Sequence, residues 1–357
     1  SEALWFENKS GTPDLSALRM AMSERRPRFF DGSVYVHDPS SVSRIFSSDY
    51  SYRKGAWVLH MMRRVIGDEM FFDVLEAYRD RYEYLTATTE DFRGVAEEVW
   101  GDDLGWFFDQ WVYHGGAPAY RYGWREQVLD GEPYLELYLE QAQNESVFQM
   151  PVTIETLEFG ERHRYTVWND ERSQHFLIPV LGAVDEVTLD PDAWILTRST
   201  TKVAFVEGPP KVVAVDPAPG STVRAGTELA ITVTFGKDVI VDDSHFLLRR
   251  TDGREVDFEL TYDDATFSAR LVSKGRLGKG RFELTIDDAI VDAVAGLALD
   301  GEMSATSGLP RLPSGDGVAG GNAVLELVSV VIRRPTTRAK PGEPGELKHR
   351  ASDRSPN

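Results

Sequence analysis

Hydrophobic residues recur at helical spacing between Asp14 and Gly115. One set follows the i, i+3, i+4, i+7 pattern of a buried amphipathic helix, with Gly67 in the position of a C-cap: Val58, Met61, Met62 and Val65. A second helix is predicted to begin at Asp68. Thr88 and Asp91 resemble a capping box at the start of a third. A last helix is predicted to end at Gly115. This first part of the chain is therefore expected to be helical.

The period of the apolar positions changes to two after Pro118. Leu135, Leu137 and Leu139 alternate with other side chains, which is typical of a strand with one buried face. The same pattern predicts further strands at Val152–Ile154, Tyr165–Trp168, Phe176–Ile178, Val187–Leu189 and Trp194–Thr197. Residues 117–206 are therefore predicted to form a small antiparallel β-sandwich.

A second set of short strands follows the linker Gly208-Pro209-Pro210, whose prolines hold the backbone extended. Turn residues separate these strands at the spacing of a β-sandwich of about 100 residues. The predicted strands are Val212–Val215, Leu229–Phe235, Phe246–Arg249, Phe258–Thr261, Thr266–Leu271 and Phe282–Ile286. Residues 209–302 are predicted to form this sandwich, which has an immunoglobulin-like pattern.

Residues 303–357 are rich in Gly, Pro, Ser and basic residues, and we predict a low-complexity, disordered tail. Its apolar segment, Ala323–Ile332, is compatible with one strand. The predicted fold class is thus multidomain, α followed by all-β. Because 357 residues are too many for one ordinary core, each of the two or three domains is expected to bury its own apolar interior.

The composition excludes several classes of partner. The net charge is −19, from 39 Lys and Arg against 58 Asp and Glu, and a field of that sign repels nucleic acid. No apolar run reaches the roughly 18 to 20 residues of a membrane-spanning helix. Since there is no cysteine, disulfides, thiol nucleophiles and thiolate metal sites are excluded as well.

The sequence contains little that points to catalysis directly. No two of its seven histidines are spaced i, i+4, as a zinc-binding helix requires. There is no Gly-x-Ser-x-Gly segment, and the glycine-rich stretch Gly315–Gly321 lacks the Lys-Ser/Thr of a phosphate-binding loop. From the residues alone, no zinc site and no nucleophile can be assigned.

An ordered series of short segments nevertheless resembles the second half of the catalytic domain of M1 family zinc metallopeptidases, the group of aminopeptidase N and leukotriene A4 hydrolase. The segments are Ser1–Trp5, Tyr52–Ala56, Gly67-Asp68 with Phe71-Phe72, Thr88–Phe92, and Phe107–Trp111 with Gly116–Pro118. Their common order over about 115 residues carries the resemblance. It implies that residues 1–116 form the helical C-terminal part of a thermolysin-like catalytic domain.

The resemblance also implies where the metal site of the intact parent protein would lie. In the family, His-Glu-x-x-His and a Glu on a second helix bind zinc, and Ser1–Trp5 looks like the continuation of that second helix. The third ligand would then precede Glu2 by about seven residues. We therefore expect this chain to be a C-terminal fragment that lacks the zinc ligands and the general base, binds no zinc by itself and is inactive alone.

One catalytic position carries over from the family. Its Tyr-x-Lys-Gly segment holds a tyrosine that stabilises the oxyanion beside the metal, and this matches Tyr52. Tyr50 is the rival, although Lys-Gly does not follow it at the right offset. Glu2 is interpreted as a surface residue, with a supporting role behind the metal as its alternative, whereas His60 and His114 are interpreted as partly buried structural histidines.

The implied reaction is hydrolysis of peptide bonds in a peptide or protein substrate by zinc-activated water, with removal of N-terminal residues as the family's common outcome. Residues 117–206 resemble the sandwich that follows the catalytic domain, and residues 209–302 resemble bacterial Ig-like modules of exported enzymes. A secreted, periplasmic or cell-surface bacterial location is expected. The alternative is a non-catalytic surface or binding protein on a degenerate peptidase scaffold. The oligomeric state stays open.

Overall fold

The computed structural model describes residues 2–129, 131–303, 305–306, 309–310 and 312–330, and its α-helices all lie in the first third of the chain. They are α1 (Glu2–Asn8), α2 (Leu15–Glu24), α3 (Val42–Ile45), α4 (Gly55–Ile66), α5 (Asp68–Tyr82), α6 (Thr89–Trp100) and α7 (Gly105–Phe108). Two π-helical turns interrupt this series: Ser48–Lys54 runs into α4, and Asp109–Tyr113 continues α7. We call residues 2–116 the helical region.

Local sequence signals account for several helix ends. The predicted capping box is confirmed: the Thr88 hydroxyl accepts a hydrogen bond from the Asp91 backbone N–H, and the Asp91 carboxylate accepts one from the Thr88 N–H. Gly67 separates α4 from α5 with φ +85°, a conformation that glycine adopts without the steric penalty of a Cβ. These signals depend on residues within one turn of each other, which is why the sequence alone predicts them.

The first β region, residues 117–206, contains two sheets built from β1 (Ala119–Leu129), β2 (Glu132–Gln141), β3 (Met150–Glu158), β4 (Glu161–Asn169), β5 (Ser173–Pro179), β6 (Val184–Leu189) and β7 (Ser199–Lys202). Their orders are β5-β2-β1-β7 and β4-β3-β6. The prediction of a purely antiparallel arrangement is wrong, since β7 pairs with β1 in parallel. The predicted strand at Trp194–Thr197 is also absent, because Asp190 accepts the N–H groups of Trp194 and Ile195 and holds a turn there.

The second β region, residues 209–330, contains β8 (Val212–Asp216), β9 (Thr222–Arg224), β10 (Ala230–Phe235), β11 (Val239–Ile240), β12 (Phe246–Arg250), β13 (Phe258–Asp263), β14 (Ser268–Ser273), β15 (Gly280–Ile286), β16 (Val291–Asp292), β17 (Ala305–Thr306), β18 (Leu309–Pro310) and β19 (Ala323–Val330). Its two four-stranded sheets have the orders β13-β14-β10-β8 and β12-β15-β19-β9. They enclose one apolar core.

The predicted boundary between this sandwich and a disordered tail at residue 303 is wrong. Strand β19 pairs along its length with β15, from Ala323 opposite Ile286 to Ser329 opposite Gly280, and also pairs with β9. The side chains of Ala323, Leu325 and Leu327 lie in the core. Without β19 the β15 edge would lose its partner, so the sandwich needs this segment. The prediction of disorder from Arg333 onward lies outside the described residues.

The expectation of a separate core for each domain is wrong for the first two regions. One continuous cluster of buried apolar side chains joins the helices to the first β region, from Leu18 and Met61 through Trp111 to Leu137 and Leu196. The second β region has its own cluster. Within the part of the chain that the structure describes, none of the helices has the length and apolar character needed to cross a bilayer.

Candidate functional site

Tyr52 lies on the π-helical turn Ser48–Lys54, immediately before α4 begins at Gly55. Ser47 caps the turn, since its hydroxyl accepts a hydrogen bond from the Tyr50 backbone N–H at 3.2 Å. The Tyr52 side chain is 60 % exposed. Among the described residues, none forms a hydrogen bond with the Tyr52 hydroxyl, so this phenol is free to donate to a group that approaches from solvent.

The N-terminal end of the turn that carries Tyr52 is held against segment 26–32. The Asp49 carboxylate accepts a hydrogen bond from the Arg28 backbone N–H at 2.9 Å, and this bond lowers the pKa of Asp49. The Tyr50 hydroxyl donates to Asp31 Oδ1 at 2.6 Å, which raises the pKa of Tyr50. Both side chains are therefore held against the neighbouring segment.

The same segment fastens the C-terminal end of the turn. Arg53 donates from Nη1 to the carbonyl oxygen of Arg26 at 3.2 Å, and Lys54 donates from Nζ to that of Gly32 at 3.0 Å. Residues 49, 50, 53 and 54 thus all face segment 26–32. Tyr52 lies between these anchored residues in the turn, and its own side chain is largely exposed.

The structure distinguishes Tyr52 from Tyr50, the alternative candidate for the catalytic tyrosine. The Tyr50 hydroxyl is already engaged with Asp31, and its ring lies so close to Gly32 that a Cβ at that glycine would be 2.5 Å from the ring. Tyr50 therefore packs and braces the turn. The catalytic role of Tyr52 stays a prediction, but of the two tyrosines it is the one with a free hydroxyl.

Glu2 lies at the start of α1, where its carboxylate pairs with Arg25 at 2.6 Å and remains largely exposed. The residue that anchors α1 is Glu7, which sequence reasoning missed. It is buried and accepts two hydrogen bonds from Arg63 of α4, at 2.7 and 2.9 Å, while Arg63 also pairs with Asp68. Glu7 and Arg63 are 56 residues apart in sequence, so no local pattern predicts that they pair.

His60 and His114, two of the three histidines of the helical region, differ in burial. His60 is buried, stacks on Trp194 with ring centroids 4.5 Å apart, and lies 3.2 Å from the Ala193 carbonyl oxygen; burial lowers its pKa to about 4. Its interpretation as a structural histidine agrees with these contacts. His114 was expected to be partly buried, and this is wrong: it is exposed at the end of the last π-helical turn, beside Asp109.

An apolar cavity of about 320 Å³ opens between α1, α2, α4 and α5. Leu4, Leu18, Met22 and Phe71 contribute to its wall, and His60 and Arg63 are its polar neighbours. Tyr52 is not part of the lining, so the cavity and the tyrosine are separate features of the helical region.

One group of three acidic residues could approach a metal ion among the described residues: Asp300, Glu302 and Asp316 offer oxygens within 4.8 Å of one another. It lies in the second β region, far along the chain from Tyr52. Asp300 is fully buried and forms an ion pair with Lys211, and burial raises its pKa to about 7. Of the three residues, Asp300 is the one that pairs with Lys211, whereas Glu302 is half-buried and Asp316 is exposed.

Part of this chain is similar in sequence to known proteins. Residues 15–111 match the Peptidase family M1 domain. Aminopeptidase N of Lactococcus lactis subsp. lactis is 32% identical over 118 residues, which are 32% of this chain and 13% of that protein. Aminopeptidase M1-B of Oryza sativa subsp. japonica is 35% identical over 147 residues, 40% of this chain and 15% of that protein. The chain therefore spans only a small part of the length of these relatives.

A solved structure of Legionella pneumophila aminopeptidase A in complex with aspartic acid is also similar to this chain. The TM-score is 0.41 at 14% identity, and the match covers 54% of this chain and 23% of that one.

Proposed function

We propose that the helical region, in which residues 15–111 match the Peptidase family M1 domain, is part of the catalytic domain of a peptidase that removes N-terminal residues from peptides. The relatives that match part of this chain are aminopeptidases, which supports hydrolysis of peptide bonds as the reaction class. In the parent protein the reaction would use a zinc-activated water, as the family resemblance implies. The helical region would correspond to the C-terminal half of a thermolysin-like domain.

The residues of this chain do not fit a catalytic zinc site. Its seven histidines include no pair at i, i+4, and in the acidic group of the second β region Asp300 is paired with Lys211. We therefore assign zinc binding and the general base to residues outside this sequence. The chain by itself is expected to bind no catalytic zinc and to hydrolyse nothing.

Tyr52 is the residue of this chain that we assign to the reaction. Its hydroxyl is free and exposed, and its backbone is braced on both sides, so it is suited to donate a hydrogen bond to the oxyanion that develops on the peptide carbonyl. This free phenol on an anchored turn, within the segment that matches the M1 domain, is the observation that carries the proposal. Losing one such donor typically costs about 10²- to 10³-fold in rate.

Two measurements test the assignment. Pure 357-residue chain is analysed for zinc by elemental analysis and assayed with aminoacyl reporter substrates; stoichiometric zinc or hydrolysis would contradict the expected inactivity. A chimera then carries residues 15–111 in place of the matching segment of the Lactococcus lactis enzyme. In an active chimera, Tyr52→Phe should lower kcat about 10²- to 10³-fold, whereas Tyr50→Phe should have a much smaller effect. Equal rates for Tyr52→Phe and the parent chimera would exclude the role.

We further propose that the second β region is an Ig-like spacer or adhesion module and that the parent protein is exported by a bacterium. Two facing four-stranded sheets around a separate core support the module, because such a unit can be attached to an enzyme without disturbing its fold. Detection of the protein in the periplasm, at the cell surface or in the medium tests export. A strictly cytoplasmic protein would contradict it.

A further inference from the structure

Lys54 is an unusual residue for the interior of this molecule. Its side chain is 1 % exposed, and none of the ion pairs among the described residues includes it. Instead, Nζ donates to two backbone carbonyl oxygens, that of Gly32 at 3.0 Å and that of His114 at 2.7 Å. Burial lowers the pKa of Lys54 to about 8.

The two acceptors belong to segments that meet at a close backbone junction. Gly116 donates its N–H to the Phe30 carbonyl at 2.5 Å, and a Cβ at Gly115 would overlap the Asp31 carbonyl group. Segment 30–32 therefore lies directly against segment 114–116, where the helical region passes into the first β region. Lys54 joins the turn that carries Tyr52 to both of these segments.

We propose that Lys54 is a positioning residue for Tyr52: its two hydrogen bonds fix the direction in which the turn presents the phenol. This inference rests on the proposed function for the role of Tyr52 itself. Packing alone does not explain the amine, because a buried charge without a carboxylate partner is costly and an apolar side chain of similar length would fill the space. What the amine adds is a pair of directional bonds to two different segments, one residue before α4 begins.

The geometry of the turn makes the coupling direct. Lys54 and Tyr52 are two residues apart in one π-helical turn, and the Tyr52 carbonyl accepts a hydrogen bond from the Gly55 N–H. A displacement of Lys54 therefore moves the backbone on which Tyr52 is carried. Asp49 and Tyr50 hold the opposite end of the turn, and the Arg53 hydrogen bond reaches only segment 26–32, so none of these three supplies the link to segment 114–116.

The experiment places 3-fluorotyrosine at position 52 of the full 357-residue chain and compares Lys54→Met with a matched control. Lys211→Met is that control, since Lys211 is also a buried lysine but lies in the second β region against Asp300. Two quantities are measured: the ¹⁹F linewidth at position 52, and hydrogen exchange in the peptide covering residues 48–56. Circular dichroism shows whether each variant is folded.

We expect Lys54→Met to narrow or split the ¹⁹F line and to speed exchange in residues 48–56 on the order of tenfold, the factor that losing one or two ordinary hydrogen bonds gives. Lys211→Met should change neither quantity, even if it lowers the melting temperature. A folded Lys54→Met chain with the parent linewidth and exchange would overturn the proposal. Neither readout involves zinc or activity, so the outcome is independent of whether the chain's parent is a peptidase.

Lys54→Gln is a second variant, to be used if Lys54→Met does not fold. Its amide keeps polar donors in the interior but is too short to reach both carbonyls as the lysine does, so the same changes are expected in smaller size. If neither variant folds, the proposal is also overturned, because Lys54 would then be required for folding rather than for the direction of Tyr52.

Discussion

Both β regions contain two larger sheets, but they are stabilised in different ways. In the first, apolar side chains of the sheets pack against helices as well as against each other: His60 of α4 stacks on Trp194, and the Met61 sulfur accepts a hydrogen bond from the Leu196 N–H at 3.4 Å. In the second, two facing sheets close a core of their own. The first region is thus part of a larger folding unit, whereas the second is complete in itself.

Several of the contacts between the two β regions are polar. The Gln174 side chain donates to the Asp316 carbonyl at 2.9 Å, and the His175 N–H donates to that of Gly317 at 2.8 Å. Glu207 pairs with Arg125 on one side and Lys237 on the other. An interface of this kind orients two units without requiring that they fold together. The comparison therefore predicts two unfolding units with a boundary near the Gly208-Pro209-Pro210 linker.

The largest expected effect comes from cutting the chain at different places. Residues 209–330 alone should fold cooperatively, because their core is internal, whereas residues 117–206 alone should not, because they lose the helices that cover their apolar face. The amide dispersion of ¹⁵N spectra distinguishes the two. Residues 1–208 serve as the control and should fold. A well-dispersed spectrum for residues 117–206 alone would show that the first β region folds without the helices, contrary to this prediction.

A matched pair of core substitutions should separate the two units within the intact chain. Phe107→Ala removes a fully buried ring from the shared core, and Phe282→Ala does the same in the second β region; each should cost about 3–5 kcal/mol. Calorimetry should show Phe107→Ala lowering only the transition of the helices and first β region, and Phe282→Ala only the other. If either variant shifts both transitions equally, the regions unfold as one.

Acid should lower the stability of the unit formed by the helices and the first β region, because His60 is buried there. Its folded-state pKa of about 4 lies below the value of about 6.5 expected in the unfolded chain, because the buried imidazole is held neutral. This contribution to stability is therefore complete above pH 6.5 and is lost as pH falls toward 4, by up to about 3 kcal/mol. Urea denaturation at pH 7 and pH 4.5 measures the loss. His60→Gln should reduce it, and an unchanged pH dependence would contradict the assignment.

The smallest expected effect concerns the polar interface. Glu207→Gln removes the charge that pairs with Arg125 and Lys237 at the surface, so it should cost less than about 1 kcal/mol and leave both transitions separate. Small-angle scattering should instead detect a broader range of distances between the two units. Glu228→Gln, in the second β region away from these ion pairs, is a suitable control. A large loss of stability would show that the interface contributes to folding.

Much of the local structure was predictable because its causes are local. The helical period and the capping box of Thr88 and Asp91 each depend on residues a few positions apart. In β2 the apolar alternation predicted the strand but not its burial, since Glu136 and Tyr138 are buried as well. The candidate Tyr52 came from a short motif that resembles a family. By contrast, the turn at Asp190 that replaces a predicted strand depends on a carboxylate that captures two backbone N–H groups, which an apolar pattern does not reveal.

The sequence by itself determined the order of helical and β segments, the acidic charge, the lack of a histidine pair for zinc, and the tyrosine segment. Only the tertiary structure decided that the helices and the first β region share one core, that β19 completes the second sandwich, and that Glu7 and Lys54 anchor the elements around Tyr52. The physical reason is the distance along the chain. These contacts join residues tens of positions apart, and burial together with directional hydrogen bonds, rather than local propensity, selects them.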